Sequence, residues 1–389
     1  MIIKNKKIKL LTMLFTLIIS FKEYFMKDKD KKNSLLIIRT DSLGDFILFL
    51  PALIHIISKY HDYEITLLLP AVCQDFREKI KNISNYIFYE NKRIDLLYLG
   101  KLLYKIHISE YKTIIYPQYT ANELGDLIVY ISKATERIGI ENILNKSRKE
   151  LLKRKKIYTN LINISDNIEL EVEKNSHFLN TLGIKTSSNI FPQLEIDNQY
   201  LCAADELLAI HNIDNKKYCI IVPGAGEKYR IWPIYNYKKI IEFINKQNIT
   251  VVLCGSINEN YLAKQILTVE NDKIINLIGK TDLYTLAALI KKSLFYFGGE
   301  TGILHLAASV NVPILCLMGG GHWGRFFPYG NPKYNRIVFD KNMNCKNDDW
   351  KCSQIYGKNK ASPCIRNINV EDVKIELSNL INDAVFNLV

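Results

Sequence analysis

The sequence lacks an apolar run long enough to cross a bilayer. Its N-terminal candidate, Leu10–Phe21, is an uncharged run of 12 residues between Lys9 and Lys22. As a helix it spans about 18 Å, well short of the ~30 Å hydrocarbon core. A secretory signal is also poorly supported, because no small-x-small cleavage site follows it. The cysteines, eight in 389 residues, form no disulfide framework. Cys73, Cys202, Cys219, Cys254 and Cys316 are scattered, several inside apolar runs, as expected of small buried residues in a reducing compartment. A broadly basic surface is missing too. The net charge of +12 comes from two places, residues 1–33 and residues 146–156, each carrying a net +6. The rest is balanced, which argues against a nucleic-acid partner.

What is present is the composition of an ordinary globular chain, 48% hydrophobic and 24% charged, with room for two domains. Residues 1–33 read as a basic and apolar leader, an interfacial helix anchored by lysines on an anionic membrane surface. A disordered leader is the alternative, with Met26 as a possible start. The second basic segment suits the same surface or a phosphorylated acceptor, or is a solvated charge run. Lys153 and Arg154 are its acceptor-side candidates.

From Leu35 onward, short apolar runs alternate with helical segments of about 10–15 residues. The runs 35–40, 64–70, 85–90, 112–119 and 136–140 are expected strands. Residues 157–215 are less regular, with one amphipathic piece near Ser176–Leu182 and a linker expected at 185–215. A second alternation begins at Tyr218, with strands expected at 219–226, 249–256, 273–279, 294–300 and 313–320. The fold class is therefore α/β, with two Rossmann-like doubly wound domains, 34–200 and 201–389, the second including a Cys-containing C-terminal segment. Ligands in such sheets bind beyond the carboxyl ends of the strands.

Three strand ends carry candidate chemistry. After the first come Gly44, which admits close backbone approach, and Asp45, in the first turn of a helix. A carboxylate there is favoured by the helix dipole and can take a proton from an acceptor hydroxyl. It can equally be a helix-start acid complementing the dipole, and spacing alone does not choose. The second domain opens with Pro223-Gly224-Ala225-Gly226, then Lys228 and Arg230. That turn offers backbone N–H groups and cations to an anion. The third, Gly298-Gly299-Glu300-Thr301-Gly302, opens a helix whose free N–H groups suit a diphosphate. Glu300 can accept sugar hydroxyls. His305 lies one turn in, as a core residue or a phosphate contact.

The stretches RTDSLGDFILFLPAL, PGAGEKYRIWP and GGETGILHLAASVNVPILCLMGGGHWGRFFPYG resemble glycosyltransferase family 9, which includes the ADP-heptose:lipopolysaccharide heptosyltransferases. The resemblance covers roughly residues 34–375. It implies a GT-B fold whose two domains face each other across a cleft, with acceptor on the N-terminal domain and nucleotide sugar on the C-terminal one. It implies inverting transfer without cofactor or divalent metal, and no Asp-x-Asp stands within that stretch. By position, Asp45 corresponds to the catalytic base, Arg230 to a ligand of the donor phosphates and Glu259 to the acid holding the ribose. Thr301, Gly302 and His305 match the phosphate-binding turn. Glu300 stands where heptosyltransferases usually have Asp, which leaves the transferred sugar open. The donor implied is a nucleoside diphosphate sugar, ADP-linked. The acceptor is lipopolysaccharide or another lipid-linked glycan, on the cytoplasmic face of the inner membrane. A nucleotide-sugar epimerase or hydrolase, or a catalytically inactive sugar-binding protein, is the competing reading. Cys345, Cys352 and Cys364, spaced C-x6-C-x11-C near His322 and Trp350, are weak candidates for a metal and otherwise a reduced, packed loop.

Overall fold

A computed structural model describes residues 33–90, 96–141, 148–186, 190–213, 217–267, 273–332 and 334–386. The leader readings, Met26 included, and the first two residues of the second basic segment lie outside these. The described residues divide into two compact units. The first is drawn from Met1–Phe46, Ala52–Ile168 and Lys174–Ser188, the second from Ile47–Pro51, Glu169–Glu173 and Asn189–Val389.

In the first unit, β1 (Ser34–Ile38), β2 (Glu64–Pro70), β3 (Asn85–Tyr89), β4 (Thr113–Tyr116), β5 (Glu136–Ile140) and β6 (Asn160–Ile162) form one sheet, ordered β3-β2-β1-β4-β5-β6. Every pairing is parallel; Leu36, for example, lies beside Thr66 on one side and Ile114 on the other. A parallel strand covered on both faces favours apolar residues, and all five residues of β1 are buried, four of them aliphatic. The helices are α1 (Leu43–Lys59), α2 (Leu96–Ile108), α3 (Glu123–Ser132), α4 (Arg148–Ile157) and α5 (Glu171–Thr181), apart from the parts of α1 and α5 that fall in the second unit. Leu99, Leu103 and Ile106 of α2 and Leu124, Leu127 and Ile128 of α3 share a core with Leu36, Ile38 and Ile114.

The second unit repeats the order. β7 (Tyr218–Val222), β8 (Thr250–Leu253), β9 (Ile274–Asn276), β10 (Tyr296–Gly299), β11 (Ile314–Leu317) and β12 (Asn335–Val338) run β12-β11-β10-β7-β8-β9, all parallel. Its helices include α6 (Asn198–Ile210), α7 (Ile234–Lys246), α8 (Asn260–Ile266), α9 (Leu283–Lys292), α10 (Gly302–Ser309), α11 (Cys352–Tyr356), α12 (Pro363–Arg366) and α13 (Val370–Phe386). Trp232 anchors this core, edge-on to Tyr237 at 5.3 Å.

The doubly wound architecture is as the alternation implies. Two strands escaped it. β6 has three residues, too few to show a period, and β12 (NRIV) is an edge strand with only Val338 buried. The expected inter-domain linker at 185–215 spans the change of unit between Ser188 and Asn189, but it also holds the helix α6, with Ala204 and Leu208 buried and Tyr200 against Tyr284 at 5.2 Å. The amphipathic piece near Ser176 belongs to the longer helix α5.

Candidate functional site

In both sheets the strand order reverses beside the unit's first strand, between β1 and β4 and between β7 and β10. Those are the positions where a crevice forms beyond the strand ends. Each is described within its own unit.

At the end of β1 the chain leaves the ladder through side-chain bonds. The Thr40 N–H donates to Gln118 Oε1 at 3.0 Å. The Thr40 hydroxyl lies 2.9 Å from the Tyr116 hydroxyl and donates to Gln118 Oε1 at 2.9 Å. Asn122 Nδ2 donates to Thr40 Oγ1 at 2.8 Å. Arg39 is fully buried, and its guanidinium is divided among several acceptors. Nε donates to Asp41 Oδ1 at 3.1 Å, Nη1 to the Pro117 carbonyl at 2.7 Å and Nη2 to the Asp45 carbonyl at 3.3 Å, with Nη2 also paired to Asp41 Oδ2. Burial pushes the Asp41 carboxyl up to about 7, against the pull of the Arg39 charge, and the neighbouring Asp45 adds to the rise. Asp41 and Arg39 went unremarked in the sequence. The available signal was two opposite charges two residues apart at a strand end.

Asp45 performs the capping role. Its Oδ2 accepts from the Ser42 N–H at 3.2 Å and from the Ser42 hydroxyl at 2.5 Å, the reciprocal bond of a capping box. Its Oδ1 has no hydrogen-bond partner among the described residues. Capping uses one oxygen and leaves the other for chemistry, so the two readings of Asp45 are compatible. Gly44 is buried beside it in the first turn of α1.

The two basic candidates on α4 part company. Lys153 is exposed. Arg154 is only 2% exposed, its Nε 3.2 Å from Asp126 Oδ1 and its guanidinium 4.7 Å from the Tyr158 ring centroid. An inward-facing arginine cannot greet an acceptor, so the acceptor-side assignment narrows to Lys153. The physical reason is that one face of α4 must pack on α3, and Asp126 there selects the basic residue that reaches it.

In the second unit the candidates converge. Glu259 ends a short turn after β8, where its Oε2 accepts from the Ser256 N–H at 2.6 Å and the Ser256 hydroxyl at 2.8 Å. Its carboxyl rests on the turn after β7: a Cβ on Gly224 would lie 1.8 Å from Glu259 Oε1. Glycine at 224 is thus what lets the acid lie against that turn. Arg230, in the turn Lys228–Arg230, donates through Nη2 to the Glu300 carbonyl and lies 3.5 Å from Glu300 Oε2. The Glu300 side chain is buried, while that of Arg230 keeps 22% exposure. The guanidinium also sits over Trp350, 5.3 Å from the ring centroid.

Thr301 is the N-cap of α10, with its hydroxyl buried beside the Tyr296 phenol, and Gly302 follows at the helix start. His305 is buried, Nδ1 3.2 Å from the Tyr329 hydroxyl and its ring stacked on that ring at 5.9 Å. Burial, helped by the Arg230 charge, pushes its pKa down to about 3. The imidazole is therefore neutral near pH 7. Tyr329, which the sequence reading passed over, orients it.

The C-terminal cysteines lie near one another, with Cys345 and Cys364 in hydrogen-bonding contact and Cys352 close enough to act on both thiols. Cys364 Sγ accepts from the Gly320 N–H at 3.5 Å, and Cys352 Sγ lies 3.6 Å from Ser362 Oγ. His322 Nε2 turns to Asp349 Oδ1 at 3.2 Å. Among the described residues no group of three or more His, Cys, Asp or Glu side chains is placed to hold a metal ion.

Comparison with known proteins supplies the remaining finding. Residues 127–354, more than half of the chain, match the model of glycosyltransferase family 9 (heptosyltransferase). A lipooligosaccharide heptosyltransferase 2 of Haemophilus influenzae is 33% identical over 103 residues, which are 25% of this chain and 30% of that protein. Matches to the first curated relatives thus span about a third of their length. A family 9 glycosyl transferase from Veillonella parvula superposes with a TM-score of 0.68 at 18% identity, covering 91% of this chain and 99% of that one. The Escherichia coli ADP-heptose lps heptosyltransferase II gives 0.67 at 17%, with 90% and 99% covered. At such identities the likeness is one of fold.

Proposed function

The chain belongs to glycosyltransferase family 9, and from that premise we propose that it moves a sugar, heptose, from an ADP-linked donor to a lipopolysaccharide or related glycan acceptor. The observation that carries this reading is the gathering of Gly224, Glu259, Arg230, Glu300 and Thr301 at the carboxyl ends of β7, β8 and β10. A nucleoside diphosphate sugar needs such a set: an acid for the ribose, a cation and helix N–H groups for the diphosphate, and a second acid for sugar hydroxyls.

Transfer then runs with inversion. Asp45 takes the proton of the acceptor hydroxyl as that oxygen attacks the anomeric carbon. The bond from that carbon to the diphosphate oxygen breaks, and its electron pair leaves with the nucleoside diphosphate. Arg230 and the N-terminus of α10 stabilise the charge that develops there. Because protein groups supply this stabilisation, no divalent metal is required in the proposal, and turnover should persist in excess EDTA.

The protein is assigned to the cytoplasmic face of the inner membrane, held peripherally. Among the described residues no helix is long and apolar enough to cross a membrane. Lys153, Lys155 and Lys156 are exposed on α4 and suit an anionic leaflet. The test of the chemistry is Asp45→Asn, measured by product formation and by donor calorimetry. Transfer should fall at least ~100-fold with donor binding retained, because the amide cannot take the proton. Turnover near that of the parent would remove Asp45 from the mechanism.

A further inference from the structure

Trp350 precedes α11 and lies outside every stretch that pointed to the donor site. Its ring is nevertheless where three loops of the second unit meet. The Arg230 guanidinium lies over it at 5.3 Å, the Tyr229 ring at 5.7 Å and the His322 ring, edge-on, at 6.1 Å. Gly319 and Gly321, in the turn after β11, form the surface it rests on. A Cβ at either position would come within 2.4 Å or 2.3 Å of indole carbons, so that turn is shaped to the ring.

The backbone that delivers the indole is strained. Asn347, Asp349 and Trp350 have φ of 55°, 54° and 58°, in the left-handed region that side chains disfavour. The Asn347 N–H donates to the Gly320 carbonyl at 2.8 Å and the Asp349 N–H to the Gly321 carbonyl at 3.1 Å, which hold the segment down. The buried indole Nε1 has no acceptor among the described residues. A tryptophan kept in this way is used for its face and not for its N–H.

We propose that Trp350 is a positioning residue for Arg230, holding the guanidinium by its π face at the angle from which it meets the donor diphosphate. This rests on the reading of Arg230 as a diphosphate ligand. The electron-rich face attracts the cation, and a planar guanidinium against it keeps its forked donors in a defined plane. The competing partner is Glu300, whose carboxylate at 3.5 Å would otherwise draw the guanidinium onto itself and neutralise it. Trp350 shares the cation with that acid and so keeps it available to a phosphate.

The test titrates the full chain with ADP, AMP and adenosine by calorimetry, with Trp350→Phe, Trp350→Leu and Arg230→Ala. Trp350→Leu should weaken ADP about 5- to 10-fold and leave adenosine unchanged, while Trp350→Phe, which keeps a π face, stays within about twofold of the parent. In the Arg230→Ala background Trp350→Leu should have no further effect on ADP, because the two act through one contact. Trp350→Met replaces Trp350→Leu if the latter does not fold. Equal losses for ADP and adenosine, or an undiminished effect without Arg230, would show a merely structural ring and overturn the proposal. A parent protein that binds ADP no better than adenosine would instead overturn the assignment of Arg230.

Discussion

The turn after β1 and the turn after β7 occupy the same place in two sheets of the same strand order, yet they treat their arginines in opposite ways. Arg39 is fully buried and divided among Asp41, Pro117 and Asp45. Arg230 keeps 22% of its side chain exposed and is braced from the Glu300 and Trp350 sides. The first guanidinium is consumed in holding a strand end to a helix start, and what remains outward is a carboxylate, Asp45. The second is braced but not consumed, and what remains outward is a cation. Burial and partners, not residue type, decide whether a charge is structure or function.

The contrast can be broken most severely at Arg39. Arg39→Met leaves Asp41 buried without its partner and removes the pin on the Pro117 and Asp45 carbonyls. Removing one partner of a buried pair costs about 3–5 kcal/mol, so a denaturant midpoint should fall steeply. Arg230→Met should lower that midpoint less, because Arg230 keeps 22% exposure and water reaches its pair with Glu300. Equal destabilisation by the two would erase the distinction.

A smaller effect sharpens the account of the second turn. His305 titrates near 3 when folded against an ordinary 6.5, because burial disfavours its charged form. With the folded pKa depressed, its contribution is complete above about 6.5 and drains away as pH falls toward 3. At pH 4.5 the loss is on the order of 2–3 kcal/mol. His305→Gln should flatten that part of the stability profile between pH 7 and 4.5. A mutant as acid-sensitive as the parent would mean that the imidazole is reached by water.

Arg230→Ala should cost roughly 1.5–3 kcal/mol of ADP affinity, about 10- to 100-fold, while adenosine binding holds. Undiminished ADP affinity would leave the second turn without its function. The smallest effect is expected on α4. Lys153→Ala should change stability by no more than about 0.5 kcal/mol, whereas Arg154→Ala empties a buried site between Asp126 and the Tyr158 ring and should cost more than that in a thermal melt.

Most of the scaffold was legible because its signals are local. Runs such as EITLLLP and ERIGI coincide with β2 and β5, whose buried stretches are mostly apolar because a parallel strand is covered on both faces. The apolar reading overran at strand ends. The run to Tyr119 stops at Tyr116, and the Pro117 carbonyl serves Arg39 instead of a neighbouring strand. Of the candidate site, Glu259, Gly224, Arg230 and Glu300 were named from the sequence, while the contacts of Glu259 with Gly224 and of Arg230 with Glu300 were not. Trp350 and Tyr329 had no comparable signal, because each acts through a contact with a residue distant in sequence.

Periodicity, glycine-rich strand ends and the position of each charge were determined by the sequence itself, since they depend on a few neighbouring residues and on backbone sterics. Which arginine water can reach, which histidine stays neutral and which of Lys153 and Arg154 faces outward were decided only by tertiary structure. The free energy of a charge depends on the dielectric and the partners around it. Those are supplied by Pro117, Trp350, Tyr329 and Asp126, which folding brings in from elsewhere in the chain.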